Sequence, residues 1–317
     1  MKDSMSPSQR PTENNARDAA ANFLGDERFS LSRYPTGLCH YVFEVTPESG
    51  PKVVVRMGHE DTRKNLEGSV FWDRELAPLK LPTARILHQD LAAEFPYTIL
   101  EHIKGADLGQ LFSSLTPSVR RQIAHSLAEI QSRVAELPRA QGFGYGFSFS
   151  DSRLRGSWRA ILDEQLDRAL QWIRSVGVAS ESLVERVSRE LSKIDRYLDD
   201  VVPTPFLHDT TTKNVLVNEG GLAGIVDIDD LCFGDPLYVL SLTNMALLSS
   251  RSTTDYVDFW SDAWALTSLQ RVVMRIYTAI HCVGFIGEVG QRFNKDVVQI
   301  DYARLHYLEG ILDDLLT

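Results

Sequence analysis

Three oxygen-bearing side chains, Asp209, Asn214 and Asp227, stand in an order and spacing that suit the handling of a phosphoryl group. Asp209 precedes Asn214 by five positions in Leu207-His208-Asp209-Thr210-Thr211-Thr212-Lys213-Asn214. The apolar run Val215-Leu216-Val217 follows, and Asp227 closes a second apolar run, Gly224-Ile225-Val226. Phosphoryl transfer needs a carboxylate that orients and deprotonates the attacking hydroxyl, and oxygen ligands that hold magnesium against the phosphates. Asp209 fits the base; Asn214 and Asp227 fit the metal. Any one of them alone reads as a turn residue, because Asp and Asn brace turns at strand ends. Their joint order, with apolar strands between, carries the chemical reading.

The elements that must position these residues are legible in the hydrophobic pattern. Residues 41–45 and 52–57 are β-branched or aromatic runs separated by Thr46-Pro47-Glu48-Ser49-Gly50-Pro51, which predicts a hairpin. Residues 66–79 read as a helix, 82–87 and 97–101 as further strands, and 18–24 as a short helix capped by Asp18. From Pro117 the pattern turns helical: Val119, Ile123, Leu127, Ile130 and Val134 recur behind Thr116 as N-cap and Pro117 as first helical residue. Helices are expected over 158–176, 182–198, 255–266, 269–287 and 297–316, with two short strands in the insert 206–230. The reading is an α+β chain of two lobes: a tail and short helix over 1–28, a small antiparallel sheet with one helix over 29–104, and a mainly helical lobe over 105–317.

Bulk properties narrow the partners. A chain of 317 residues is long for one core and natural for two lobes with a cleft between them. A formal charge of -10 argues against a nucleic-acid backbone as partner. No apolar run approaches the roughly 20 residues that span a bilayer, and residues 1–17 lack the apolar stretch of a secretory signal. The expectation is a cytoplasmic protein with no membrane contact. Cys39, Cys232 and Cys282 fit neither a disulfide framework nor a zinc spacing, so reduced thiols are expected.

Residues 207–217, with the Asp227 strand and Gly234-Asp235-Pro236 after it, resemble the catalytic loop and metal-binding strand of the aminoglycoside phosphotransferase family. That family's pattern is His-Gly-Asp-x-x-x-x-Asn followed by Ile-Asp, on a protein-kinase-like fold. The resemblance makes Asp209 the catalytic base and Asn214 and Asp227 the Mg2+ ligands. It extends upstream: residues 36–45, which include Gly37, are similar to the loop and strand over the nucleotide phosphates, and 81–87 to the family's Pro-Val-Pro segment. Residues 98–105 resemble the hinge, where backbone near Glu101 and Ile103 would meet the adenine edge. The implied activity is transfer of the terminal phosphoryl group of ATP or GTP to a hydroxyl of a small molecule, such as an aminoglycoside or another amino-alcohol.

Three positions depart from the family. Leu207-His208-Asp209 stands where His-Gly-Asp is usual, and His208 reads as a packing or loop-bracing residue. Arg56 occupies the strand position of the kinase phosphate-binding Lys; its planar fork can hold phosphate oxygens bidentately, and its plain alternative is an outward-facing strand residue. The helix Glu expected to pair with that cation is Glu67 or Glu75, and Glu67, near the helix start, is preferred.

Other features read plainly. The chain contains no Gly-x-x-x-x-Gly-Lys-Ser/Thr, which disfavours a P-loop fold. Residues 142–147 read as a loop with anchoring aromatics, and Asp229 and Asp230 as solvated turn carboxylates. The acceptor pocket is expected from the helices after Trp158 and after Asp255, where Asp258, Asp262 and Glu288 are candidates to meet a cation. The departures at Arg56 and 207–209 keep open a catalytically weak nucleotide-binding regulator of the same fold; a helical interaction scaffold is a third reading. The regulator would bind nucleotide without turnover, and the scaffold would not bind it.

Overall fold

The computed structural model describes residues 10–34, 40–291 and 299–317. It opens with α1 (Glu13–Leu24), begun by a capping box between Thr12 and Asn15 and closed by Gly25 in the left-handed conformation, φ 66°. The reading of residues up to Arg17 as tail is corrected here. Ala16 is as fully buried as Ala20, so the helix starts more than a turn before Asp18 and packs along that length.

Five antiparallel strands follow: β1 (Phe29–Arg33), β2 (Tyr41–Pro47), β3 (Val53–Met57), β4 (Ile86–Asp90) and β5 (Tyr97–Glu101), ordered β1-β2-β3-β5-β4. The hairpin of β2 and β3 is in place, with Val42 opposite Arg56 and Val45 opposite Val53. β1 is an addition to the expected strands, and β4 lies four residues later than its expected start at Pro82. Val53, Val55 and Met57 pack with Phe43, Val45, Ile99 and the alanines of α1 in a small core. Side chains alternate along a strand, so Val54 and Arg56 point to the opposite face. Between β3 and β4 runs α2 (Arg63–Leu76). Its Trp72 and Leu76 belong to the core of the second lobe rather than to the small one, and the Trp72 indole donates to the Gly146 carbonyl at 2.9 Å.

The second lobe begins with β6 (Ala106–Asp107), α3 (Leu108–Leu111) and α4 (Pro117–Val134). The Thr116 hydroxyl accepts from the Val119 amide at the head of α4, as its N-cap role requires. Then come β7 (Gly144–Gly146), α5 (Trp158–Val176), α6 (Ser182–Ser192) and α7 (Asp195–Asp199), the last two separated where one continuous helix is expected. Four strands surround the chemistry-bearing segment: β8 (Thr204–Phe206), β9 (Val215–Asn218), β10 (Gly221–Ile225) and β11 (Leu231–Gly234). They form two three-stranded sheets, β10-β9-β6 and β7-β11-β8, so β7 takes the centre of the stretch read as a loop. The chain ends in α8 (Leu237–Ser249), α9 (Asp255–Ala263), α10 (Ser268–Glu288) and α11 (Tyr302–Leu315).

Gly234-Asp235-Pro236 has a packing role. A Cβ on Gly234 would meet the Trp158 ring at 2.2 Å. The Asp235 carboxylate accepts from the Tyr197 and Tyr277 hydroxyls at 2.9 and 3.0 Å and from the Leu237 amide at 3.0 Å, which seats the start of α8. Cys232 and Cys282 are buried free thiols, and Cys39 lies outside the described residues. No described helix is long and apolar enough to cross a membrane. The architecture is α+β and bilobal, a small antiparallel sheet over a mainly helical lobe, as the sequence predicts.

Candidate active site

Asp209, Asn214, Asp227 and Arg56 converge at the junction of the lobes. β8 delivers the chain into the loop 207–214 and β9 takes it away, so Asp209 and Asn214 sit at the two ends of one tight turn system. The Asn214 amide nitrogen donates to the Asp209 carbonyl at 2.9 Å, and the Thr211 hydroxyl donates to the Asp209 carboxylate at 3.3 Å. With its nitrogen committed, the Asn214 side chain offers its oxygen as acceptor. The Asn214 carbonyl accepts from the Val226 amide at 3.0 Å, which ties the loop to the residue preceding Asp227. Asp227 has φ 67°, a left-handed conformation that Asp tolerates better than most residues. A crevice of about 10 Å³ is lined by both Asp209 and Asp227, with His208 and Asp230.

Arg56 reaches this junction from β3. Its side chain is buried, 5% exposed, so it is no outward-facing strand residue. The guanidinium meets Asp227 Oδ1 at 2.5 Å and Asp229 Oδ1 at 2.6 Å. It also donates to His40 Nδ1 at 2.9 Å. Burial first, and then the Arg56 charge, push the His40 imidazole down to about 3, so it is neutral at ordinary pH. Lys52, exposed at the hairpin turn, pairs with Glu44 at 2.6 Å.

Glu101 ends β5; its carboxylate pairs with Arg85, and its N–H donates to the Arg85 carbonyl at 2.9 Å. Ile103 packs so closely on Gly224 that a Cβ there would lie 2.5 Å from its Cδ1. Glu67 is exposed on α2, and the carboxylates found on Arg56 are Asp227 and Asp229. Glu75 pairs with Arg74 at 3.2 Å. Gly37 lies outside the described residues. On the later helices Asp262 pairs with Arg271 at 2.9 Å, while burial raises the Asp258 and Glu288 carboxyls above the usual range.

Asp229 and Asp230 correct the expectation of solvated turn carboxylates, since each side chain is only 16% exposed. Asp230 lies 3.4 Å from His208 Nδ1 and 3.9 Å from Arg153, and burial raises its pKa. His208, stacked edge-on against Tyr145 with centroids 4.8 Å apart, is thus part of a braced cluster. Sequence reasoning also missed Gly68. On α2 it approaches the loop 227–230 so closely that a Cβ would stand 2.4 Å from the Asp229 carbonyl oxygen and 2.5 Å from Phe147. A glycine inside an otherwise helical pattern is the signal that could have marked such an approach.

This geometry places two carboxylates, Asp209 and Asp227, on one crevice, with the Asn214 amide bonded behind the first and the Arg56 guanidinium paired to the second. The chain belongs to the phosphotransferase enzyme family (APH), whose profile matches residues 30–270. No curated protein matches it in sequence. Its fold is shared by aminoglycoside phosphotransferase APH(4)-Ia, solved as a thermostable mutant with AMP-PNP and hygromycin B. That structure is 16% identical with TM-score 0.68, over 95% of this chain and 97% of that one. ADP-bound APH(2'')-Ib is similar at 13% identity and TM-score 0.65, over 95% and 97%. The gentamicin complex of APH(2")-IIa is similar at 14% identity and TM-score 0.64, over 95% and 96%.

Proposed function

We propose that the protein transfers the terminal phosphoryl group of ATP or GTP to a hydroxyl of a small molecule, an amino-alcohol such as an aminoglycoside being the first class to test. The observation that carries this reading is the crevice shared by Asp209 and Asp227, with Asn214 bonded to the Asp209 carbonyl and Arg56 paired to Asp227. Asp209 would orient the acceptor hydroxyl and take its proton as the oxygen attacks the terminal phosphorus. The bond from that phosphorus to the bridging oxygen breaks, leaving a nucleoside diphosphate and a phosphate ester.

Asn214 and Asp227 would hold magnesium. Their donor atoms fit: both are hard oxygens, and the Asn214 nitrogen is already committed to Asp209. Bound there, the ion supplies neutralisation of phosphate charge. Arg56 would place its fork of donors on phosphate oxygens, and Glu101 and Ile103 would border the base of the nucleotide. The nucleotide complexes of the similar structures support a nucleotide site of this kind.

The test is a thermal-shift measurement with magnesium and each nucleotide, followed by a transfer screen over amino-sugars and small alcohols. Ligand that binds only the folded state raises its melting temperature by mass action. No shift with either nucleotide at millimolar concentration would sink the reading. A shift without transfer to any acceptor would favour a nucleotide-binding regulator.

A further inference from the structure

The geometry points to Gln131 as a positioning residue for Asp209: its buried amide clamps the main chain of the loop that carries the base. This rests on the phosphotransfer reading above and adds to it a residue that touches neither nucleotide nor acceptor. Gln131 lies on α4, 1% exposed, on the same buried stripe as Leu127 and Val134. Its Oε1 accepts from the Leu207 amide at 3.0 Å, and its Nε2 donates to the Leu207 carbonyl at 2.8 Å and to the Thr210 hydroxyl at 3.0 Å.

One side chain therefore satisfies both main-chain groups of Leu207, as a neighbouring strand would. A primary amide carries a donor and an acceptor side by side in this way without charge. Asp209 stands between the two anchored residues, two after Leu207 and one before Thr210. Within the loop its carboxylate has only the Thr211 hydroxyl at 3.3 Å. Its direction is thus set through the main chain, and α4 holds that main chain on the upstream side as Asn214 does on the downstream side.

The same contact accounts for a departure seen in the sequence. Position 207 is an apolar Leu, 2% exposed, whose side chain can brace nothing by hydrogen bonding. Support for the loop comes from the neighbouring helix instead. A packing role alone would be filled better by Leu or Met, because a buried amide without partners is costly.

Two variants test this. Q131M removes all three bonds at nearly constant volume, and Q131N keeps the amide but shortens its reach by one methylene. In Q131M, kcat should fall about ten-fold or more, since small misplacement of a reacting group is enough for losses of that size. Q131N should fall less. The KM for nucleotide and the melting shift given by magnesium with nucleotide should both stay near wild type. Amide exchange of residues 207–210 should quicken while the rest of α4 keeps its protection, a measurement that requires no acceptor. Unchanged exchange in a folded Q131M, or a kcat within twofold of wild type, would overturn the proposal. So would variants that lose nucleotide affinity in step with kcat, or a Q131N too that fails to fold, since either makes Gln131 a core-stability residue. If wild type itself neither binds nor turns over nucleotide, the phosphotransfer reading fails separately.

Discussion

The Arg56 guanidinium bridges two carboxylates of the other lobe, reaching Asp227 Oδ1 at 2.5 Å and Asp229 Oδ1 at 2.6 Å. One planar fork holds both ends of Asp227-Ile228-Asp229, and a Lys ammonium, a point charge on a flexible stem, does not reproduce that geometry. The two ion pairs fasten the sheet to the loop 227–229 of the other lobe.

Arg56→Ala should therefore weaken nucleotide use. Loss of a charge-assisted contact removes on the order of 1.5–3 kcal/mol, which corresponds to about ten- to a hundred-fold in affinity. Arg56→Lys should fall between the two. Titration calorimetry of magnesium with nucleotide into each variant checks the order; wild-type affinity in Arg56→Ala would reduce Arg56 to a structural ion pair.

Asp209 and Asp227 should part company in binding. Asp209→Asn keeps shape and removes the charge proposed to accept the acceptor's proton, so transfer should collapse while nucleotide binding survives. Asp227→Asn removes the anionic oxygen proposed to hold magnesium, so binding of the magnesium–nucleotide complex should weaken together with turnover. Equal loss of nucleotide binding in both would contradict the division of labour.

Gly68→Ala should destabilise the fold by about 1–3 kcal/mol, the usual range for overpacking a filled site. The added Cβ has backbone at 2.4 Å on the Asp229 carbonyl, which cannot move aside as a flexible side chain would. Gly156→Ala, with nothing within 4 Å of its Cβ, is the control and should stay near wild type. Urea unfolding of the pair decides it; a Gly68→Ala as stable as the control would show that α2 has room to shift.

Asp235 gives a pH dependence of definite sign. Burial raises its pKa above the ordinary 3.8, despite hydrogen bonds from Leu237, Tyr197 and Tyr277 that pull the other way. A carboxyl raised in the folded state favours folding when protonated, so its contribution is fully present below the unfolded pKa. That contribution is lost as pH rises through the raised folded value. Measured against Asp235→Asn, which does not titrate, wild-type stability should decline as pH rises from 3.8 through that value. Unfolding curves of both proteins across this window would show a gap that grows with falling pH; a gap that shrinks would reverse the sign.

What was legible in the sequence was local. The Thr116 cap of α4 and both bounds of α5 follow from capping chemistry and a 3.6-residue period. The α8 helix escaped notice because Leu237, Tyr238, Val239 and Leu240 are all buried, and a helix apolar on every side has no period to read. β7 exists through its pairing with β11, whose Cys232 lies opposite Tyr145, far along the chain. At the site, spacing picked out Asp209, Asn214 and Asp227, but not which neighbour of Asp227 would face Arg56; that depends on a left-handed residue and a strand from the other lobe. Gln131 left one trace, a polar residue on a stripe of α4 that is otherwise apolar from Ile123 to Val134.

The burial of Trp72 and Leu76 in the core of the helical lobe has a consequence for cooperativity. By chain position α2 lies amid the small sheet, yet its anchoring residues share their unfolding free energy with α4 and α5. In amide exchange, α2 should open with the helical lobe and not with β1 or β4. The seam along which the molecule comes apart then runs between α2 and the sheet it interrupts, so a cut in the sequence near Gly105 would sever one folding unit rather than separate two.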